Sequence, residues 1–185
     1  MGIHGHGTGA RYETGITLLE MMVTLGIAAI LLLTGVPALQ QFNMKQRMKA
    51  AVAGLHNDLV MARSEAVYRN AVVVACPGSP EDGCSGGSDW SQGWIVFDDA
   101  NGDRQRQDAE DMVRHGQARE QIAILAPASR TELRFFPDGS APGSNVSISL
   151  CGLDGPPGAR KLVISNIGRI RRDRFASLDP GRCPG

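Results

Sequence analysis

From Ile16 to Val36 the chain runs for 21 residues with one formal charge, Glu20. As an α-helix this stretch is roughly 30 Å long, the thickness of a bilayer's hydrocarbon core. Folded into a soluble core instead, it would strand the Glu20 carboxylate, which is costly without a partner. Residues 1–15 are polar and rich in Gly and His, without the apolar centre of an ordinary secretory signal. The 185 residues leave room for this anchor and one globular domain, and too little for two.

Beyond the anchor the helical period continues. Met48, Val52, Leu55, Leu59, Ala62 and Ala66 recur at spacings of four and three, one apolar stripe on a helix that lasts to about Tyr68. Six positions is short for a coiled coil, so the stripe is expected to pack on a sheet of the same chain. After Asn70 the pattern turns to short β-type runs: Ala71–Cys76, Gly93–Phe97, Ile122–Ala126, Glu132–Phe136, Val146–Cys151, Lys161–Ser165 and Ile170–Arg174. Asn166-Ile167-Gly168 suits a tight reversal between the last two, because Asn and Gly tolerate positive φ. One long helix followed by antiparallel strands is an α+β fold, with the helix laid on the sheet or sheets.

Lys+Arg and Asp+Glu both number 19, so net charge says nothing about partners, but its distribution does. From Arg160 onward seven basic residues (Arg160, Lys161, Arg169, Arg171, Arg172, Arg174, Arg182) face only Asp173 and Asp179, an excess of five positive charges. Such a tail suits an anionic partner or forms a solvated sheet edge. The four cysteines, Cys76, Cys84, Cys151 and Cys183, include no C-x-x-C pair, which speaks against a zinc ribbon or thioredoxin-like site. In an exported domain they are expected as disulfides. Cys76 and Cys84 bracket a short, easily closed loop, leaving Cys151 with Cys183.

No catalytic constellation is present. His4, His6, His56 and His115 have no evident partners, no serine lies in a G-x-S-x-G frame, and no phosphate-binding glycine loop occurs. The chain is expected to be no enzyme and to need no cofactor or metal. Asp99, Asn101, Asp103 and Glu110 occupy positions one, three, five and twelve of a calcium-loop pattern, yet Arg104 stands where the sharp turn needs Gly and Gly102 is misplaced. A solvated hairpin loop is expected there.

A cut after Gly15 would make Ile16 residue one and Glu20 residue five. It would set a new α-amino group one helical turn from a carboxylate, two charges that a membrane forces to pair. Gly15-Ile16-Thr17-Leu18-Leu19-Glu20, the apolar run and Pro37 resemble the type IV prepilin family. The resemblance implies cleavage after Gly15 by prepilin peptidase, N-methylation of Ile16, use of Glu20 in filament assembly, and a helix-kinking role for Pro37. Ile16 departs from the phenylalanine usual at that position.

Further motifs are similar to the GspH/FimT branch of minor pilins and pseudopilins. They are Ala62-Arg63-Ser64-Glu65-Ala66, Cys84-Ser85-Gly86-Gly87 leading to Trp90-Ser91-Gln92-Gly93-Trp94, Phe136-Pro137-Asp138-Gly139, and Leu162 to Arg171. The resemblance implies a leader at 1–15, an assembly helix at 16–37 and a periplasmic pilin-like domain at 38–185. It also implies an inner-membrane precursor, other major and minor pilins as partners, and a place in an extracellular pilus near its tip. Some members of the FimT type bind DNA through a Gly-Arg-x-Arg element, here Gly168-Arg169-Ile170-Arg171. With Ile170 turned to the core, Arg169 and Arg171 would share the other strand face about 6–7 Å apart. Arg172, Arg174 and Lys161 would widen the patch, for phosphate-led binding blind to sequence. The other outcome is a structural subunit, of pilus or type II secretion system, that primes or caps a filament without touching DNA.

Overall fold

The computed structural model describes residues 15–117, 121–152 and 159–174. The expected leader (residues 1–14 of it) and Cys183 lie outside the described residues. Residues up to Gln40 and those from Gln41 form separate compact units.

Helix α1 runs from Leu18 to Arg69, with Pro37 inside it. Thr17 starts it: its Oγ1 accepts a hydrogen bond from the Glu20 N–H at 3.2 Å, the N-cap arrangement of a Thr-x-x-Glu sequence. Pro37 has no N–H to offer the Leu33 carbonyl, yet the helix continues through it. At the other end Asn70 takes φ 53°, and the Ala71 N–H returns to the Ala66 carbonyl at 3.3 Å, a Schellman closure. Arg69 then holds the helix end to the sheet through Asp111 at 3.0 Å and Asp98 at 3.7 Å, oriented by Glu65 one turn earlier on the same helix at 2.7 Å. Its hydrogen bonds to Glu65 and Asp111 raise the pKa of a guanidinium that is already permanently charged.

Nine strands follow among the described residues: β1 (Val73–Ser79), β2 (Gly83–Cys84), β3 (Gly93–Asp98), β4 (Met112–Gln117), β5 (Ile122–Leu125), β6 (Leu133–Phe135), β7 (Val146–Gly152), β8 (Arg160–Ile164) and β9 (Ile170–Arg174). Their pairings are antiparallel. One sheet has the order β2-β1-β3-β4 with β6 also on β1, and the other the order β5-β7-β8-β9. Every residue of the expected stripe is buried, with Ala51 added, and the stripe shares one core with β1, β3, Trp90, Trp94 and the inward residues of β5 to β8. Val74, Cys76, Ile95 and Phe97 form a second cluster. The first sheet is thus buried on both faces, which explains the continuous apolar runs of β1 and β3.

The sequence reading missed two strands. β4 is an edge strand of Met-Val-Arg-His-Gly-Gln, half-buried at best, so it carries no apolar signal. β2 is two residues long. The connection between β3 and β4 is a hairpin loop, mostly exposed as expected, but Asp99 and Glu110 near its two ends are buried.

Candidate nucleic-acid interface and assembly motifs

The β8–β9 hairpin closes the second sheet, with β9 at its edge. The Ser165 N–H donates to the Arg169 carbonyl at 3.0 Å and the Gly168 N–H to the Ser165 carbonyl at 2.8 Å. Ile164 pairs with Ile170, Leu162 with Arg172, Val163 with Arg171 and Lys161 with Asp173. Opposed residues share a face. Ile170 packs on the core, so Arg172 shares its side and Arg171 and Asp173 take the other. Arg169, Arg171, Arg172 and Asp173 are exposed, and Lys161 is half-buried.

The structure adds two details to this patch. Arg169 lies between the Asn166–Ile167 turn and the strand, which opens at Ile170. Arg171 and Arg172 take opposite faces of that strand, and Asp173 shares the face of Arg171. Alternation forces this wherever three charged residues run consecutively along a strand. Arg174 ends β9.

What holds the hairpin is Arg63, half-buried on α1. Its Nε donates to the Gly139 carbonyl at 2.8 Å and its Nη2 to the Ile167 carbonyl at 3.4 Å. The Ala141 N–H also reaches the Asn166 carbonyl at 2.8 Å. Gly168 is buried at φ 74°, and a Cβ there would stand 2.0 Å from the Gly139 oxygen. The glycine of the Gly-Arg-x-Arg element is therefore a packing and turn residue, set against the Phe136–Gly139 turn. Beside it opens a groove of about 470 Å³ lined by Val60, Arg63, Ser64, Val67, Asp138 and Arg169 among others. Val60, Val67 and Ile167 are exposed around it. Hydrogen bonds from the Ser140 side chain and backbone hold the Asp138 carboxyl below its ordinary value.

The Trp-Ser-Gln-Gly-Trp stretch is joinery as well. Trp94 is buried, and its Nε1 donates to Asp58 of the helix at 3.0 Å. Trp90 is buried in the same core: its backbone N–H donates to the Ile124 carbonyl at 2.8 Å, and the Ile124 N–H donates to Ser91 Oγ at 2.9 Å. Cys76 and Cys84 are bonded, with Cα atoms 5.6 Å apart. Cys151 is disulfide-bonded, and its expected partner, Cys183, lies outside the described residues. Arg63, Asp58 and Arg69 went unrecognised as joints in the sequence. Only Thr17 left a readable signal, the Thr-x-x-Glu spacing.

Ile16, just before α1, and Leu18, Leu19 and most large side chains of its apolar half to Phe42 are exposed. This helix is long and apolar enough to cross a membrane.

Comparison with known proteins agrees with this arrangement. The model of the family "Type II transport protein GspH" matches residues 51–168, and that of the prokaryotic N-terminal methylation motif matches residues 10–36. The pilin-like protein PilA1 of Thermus thermophilus is 29% identical over 163 residues, covering 85% of this chain and 96% of that protein. Two crystal forms of the type IV minor pilin FimU of Pseudomonas aeruginosa share the fold. Their TM-scores are 0.54 and 0.52 at 20% identity, covering 74% and 70% of this chain and 98% of each FimU chain. The methylation motif marks a substrate of prepilin peptidase that assembles with other pilins, and the apolar N-terminal helix fits an inner-membrane anchor used before assembly. The chain belongs to the GspH family and is a type IV minor pilin of the GspH/FimT kind.

Proposed function

We propose that this minor pilin binds DNA without sequence preference through its terminal hairpin and serves in uptake of transforming DNA. Exposed arginines, Arg169, Arg171 and Arg172, on the turn and edge strand of a hairpin anchored by Arg63 carry the proposal. Lys161 and Arg174 extend the basic set, and Gly168 positions Arg169. An edge strand with cations on both faces suits a phosphate backbone lying along it better than base readout, which needs stacking or base-edge contacts. One subunit alone binds in the micromolar range or weaker, and several along a filament bind more tightly through avidity.

The full-length chain in detergent, titrated with duplexes of unrelated sequence at several salt concentrations, tests this. Arg169→Gln with Arg171→Gln should flatten the slope of log affinity against log salt by nearly two. A folded double variant that binds as tightly as the parent at every salt concentration removes the hairpin from consideration. The groove gives a second role specific support: Val60, Val67 and Ile167 lie exposed beside Arg169 and Asp138, an apolar and charged surface suited to a neighbouring pilin. In that case the double variant keeps its DNA affinity and fails in filament assembly, as expected of a subunit that primes or caps the filament.

Processing is part of the same proposal. Cleavage after Gly15 places the Ile16 amine, methylated, within reach of a neighbour's Glu20, and Pro37 tunes the helix for packing in the filament. Cys151 with Cys183 would tie the chain end to β7. Peptide mapping without reductant should recover that pair, and a Cys183 thiol found free would refute it.

A further inference from the structure

The β3–β4 connection lies outside both the N-terminal assembly motif and the terminal hairpin. Asp99, Asn101, Asp103 and Glu110 stand there at positions one, three, five and twelve of the spacing by which one segment wraps a calcium ion. Position six demands positive φ, normally from Gly. Arg104 occupies it and takes φ 65° all the same, so the turn that the sequence argued against is made. One carboxylate oxygen each from Asp99, Asp103 and Glu110 lie within 4.8 Å of one another. Oxygens sharing one Ca²⁺ at its usual bond lengths stand at most about 5 Å apart.

Burial is the independent observation. Asp99 is 4% exposed and Glu110 6%. Glu110 Oε2 accepts the Gln107 N–H at 3.0 Å, while its Oε1 is buried without any hydrogen-bond partner. A buried carboxylate oxygen is costly unless a donor or cation satisfies it. Among the described residues none of the three acids makes an ion pair. The Arg104 side chain stands 3.7 Å from Glu132 while its backbone N–H donates to Asp99 at 3.2 Å, and Arg106 Nη1 donates to the Pro80 carbonyl at 2.9 Å while its Nε is buried without a partner. Three carboxylates thus converge with no cationic side chain among the described residues ion-paired to them.

We propose that Asp99, Asp103 and Glu110 bind one divalent cation, Ca²⁺, which orders the β3–β4 connection. The donors are all oxygen, which disfavours zinc and copper. A single flexible segment that leaves positions to water and to a main-chain carbonyl at Gln105 suits the loose coordination of Ca²⁺ better than the strict octahedron of Mg²⁺. Because Arg106 ties this connection to Pro80, inside the Cys76–Cys84 loop, the ion stiffens both loops together. With three carboxylates the expected Kd is on the order of 10⁻⁴–10⁻³ M, the range of extracellular modules.

Chelator-treated full-length chain in detergent is titrated with CaCl₂ and, separately, MgCl₂ by isothermal titration calorimetry, and its thermal unfolding is followed by circular dichroism. One Ca²⁺ per chain should bind, Tm should rise by roughly 3–6 °C at tenfold excess over Kd, and Mg²⁺ should bind at least tenfold more weakly. Glu110→Gln and Asp103→Asn should each weaken Ca²⁺ binding at least tenfold, while Glu81→Gln, an exposed carboxylate outside the cluster, leaves it unchanged. Asp103 is itself exposed, so Asp103→Asn keeps the fold and decides the matter if Glu110→Gln does not fold. A parent chain showing neither saturable heat nor a Tm shift overturns the site. So does a folded Asp103→Asn variant that binds like the parent. Mg²⁺ binding as tight as that of Ca²⁺ overturns the choice of ion.

Discussion

Gly168 shows how a residue can belong to a binding motif and act through packing. Its positive φ and the Gly139 oxygen in the space of its missing Cβ mean that Gly168→Ala must move two turns at once. A loss of about 2 kcal/mol or more is expected in urea unfolding, with DNA affinity falling because Arg169 is displaced. Asp58 is a simpler case. Asp58→Ala leaves the buried Trp94 Nε1 without the acceptor it has at 3.0 Å, for an expected cost of about 1–3 kcal/mol. Asp138 carries a pH signature. Its carboxyl is held below its ordinary 3.8 by Ser140, so its contribution is present above that pH and lost as pH falls through the lowered value. Asp138→Asn should therefore flatten the acid limb of a stability profile measured by denaturant unfolding.

Among the elements, the 48–66 stretch of α1 was legible because its burial is one-sided. Alternating steps of three and four residues put one stripe on one face, and that stripe is the core. Leu59→Ala should cost about 2–5 kcal/mol by thermal or urea unfolding, as a fully buried leucine lost from a packed core. β1 and β3 were legible as apolar runs, since most of their residues are buried. β4 was not, because an edge strand half in water keeps Arg114 and His115 without penalty. The hairpin was legible as two strands and a turn, and alternation from the inward Ile170 sets Arg171 on the other face.

For the whole molecule, processing makes the sharpest prediction. The intact mass of chain recovered from pili should begin at Ile16 with one added methyl, and a mature chain beginning at Met1 in cells with active peptidase would refute it. Glu20→Ala should leave cleavage intact and lower incorporation into sheared pili, read by immunoblot. Local period and composition were enough to set out an apolar helix with one acid, an amphipathic continuation, and a β-rich remainder with a basic end. The family motifs were readable along the chain too, but their work was not. Arg63 finds its acceptors 76 and 104 residues away, Trp94 finds Asp58 across 36, and Asp99 meets Glu110 only because β3 and β4 bring the loop ends together. Such joints require distant backbone carbonyls and carboxylates to converge in space. No spacing along the chain encodes that convergence, and it arises only when the helix packs against the two sheets.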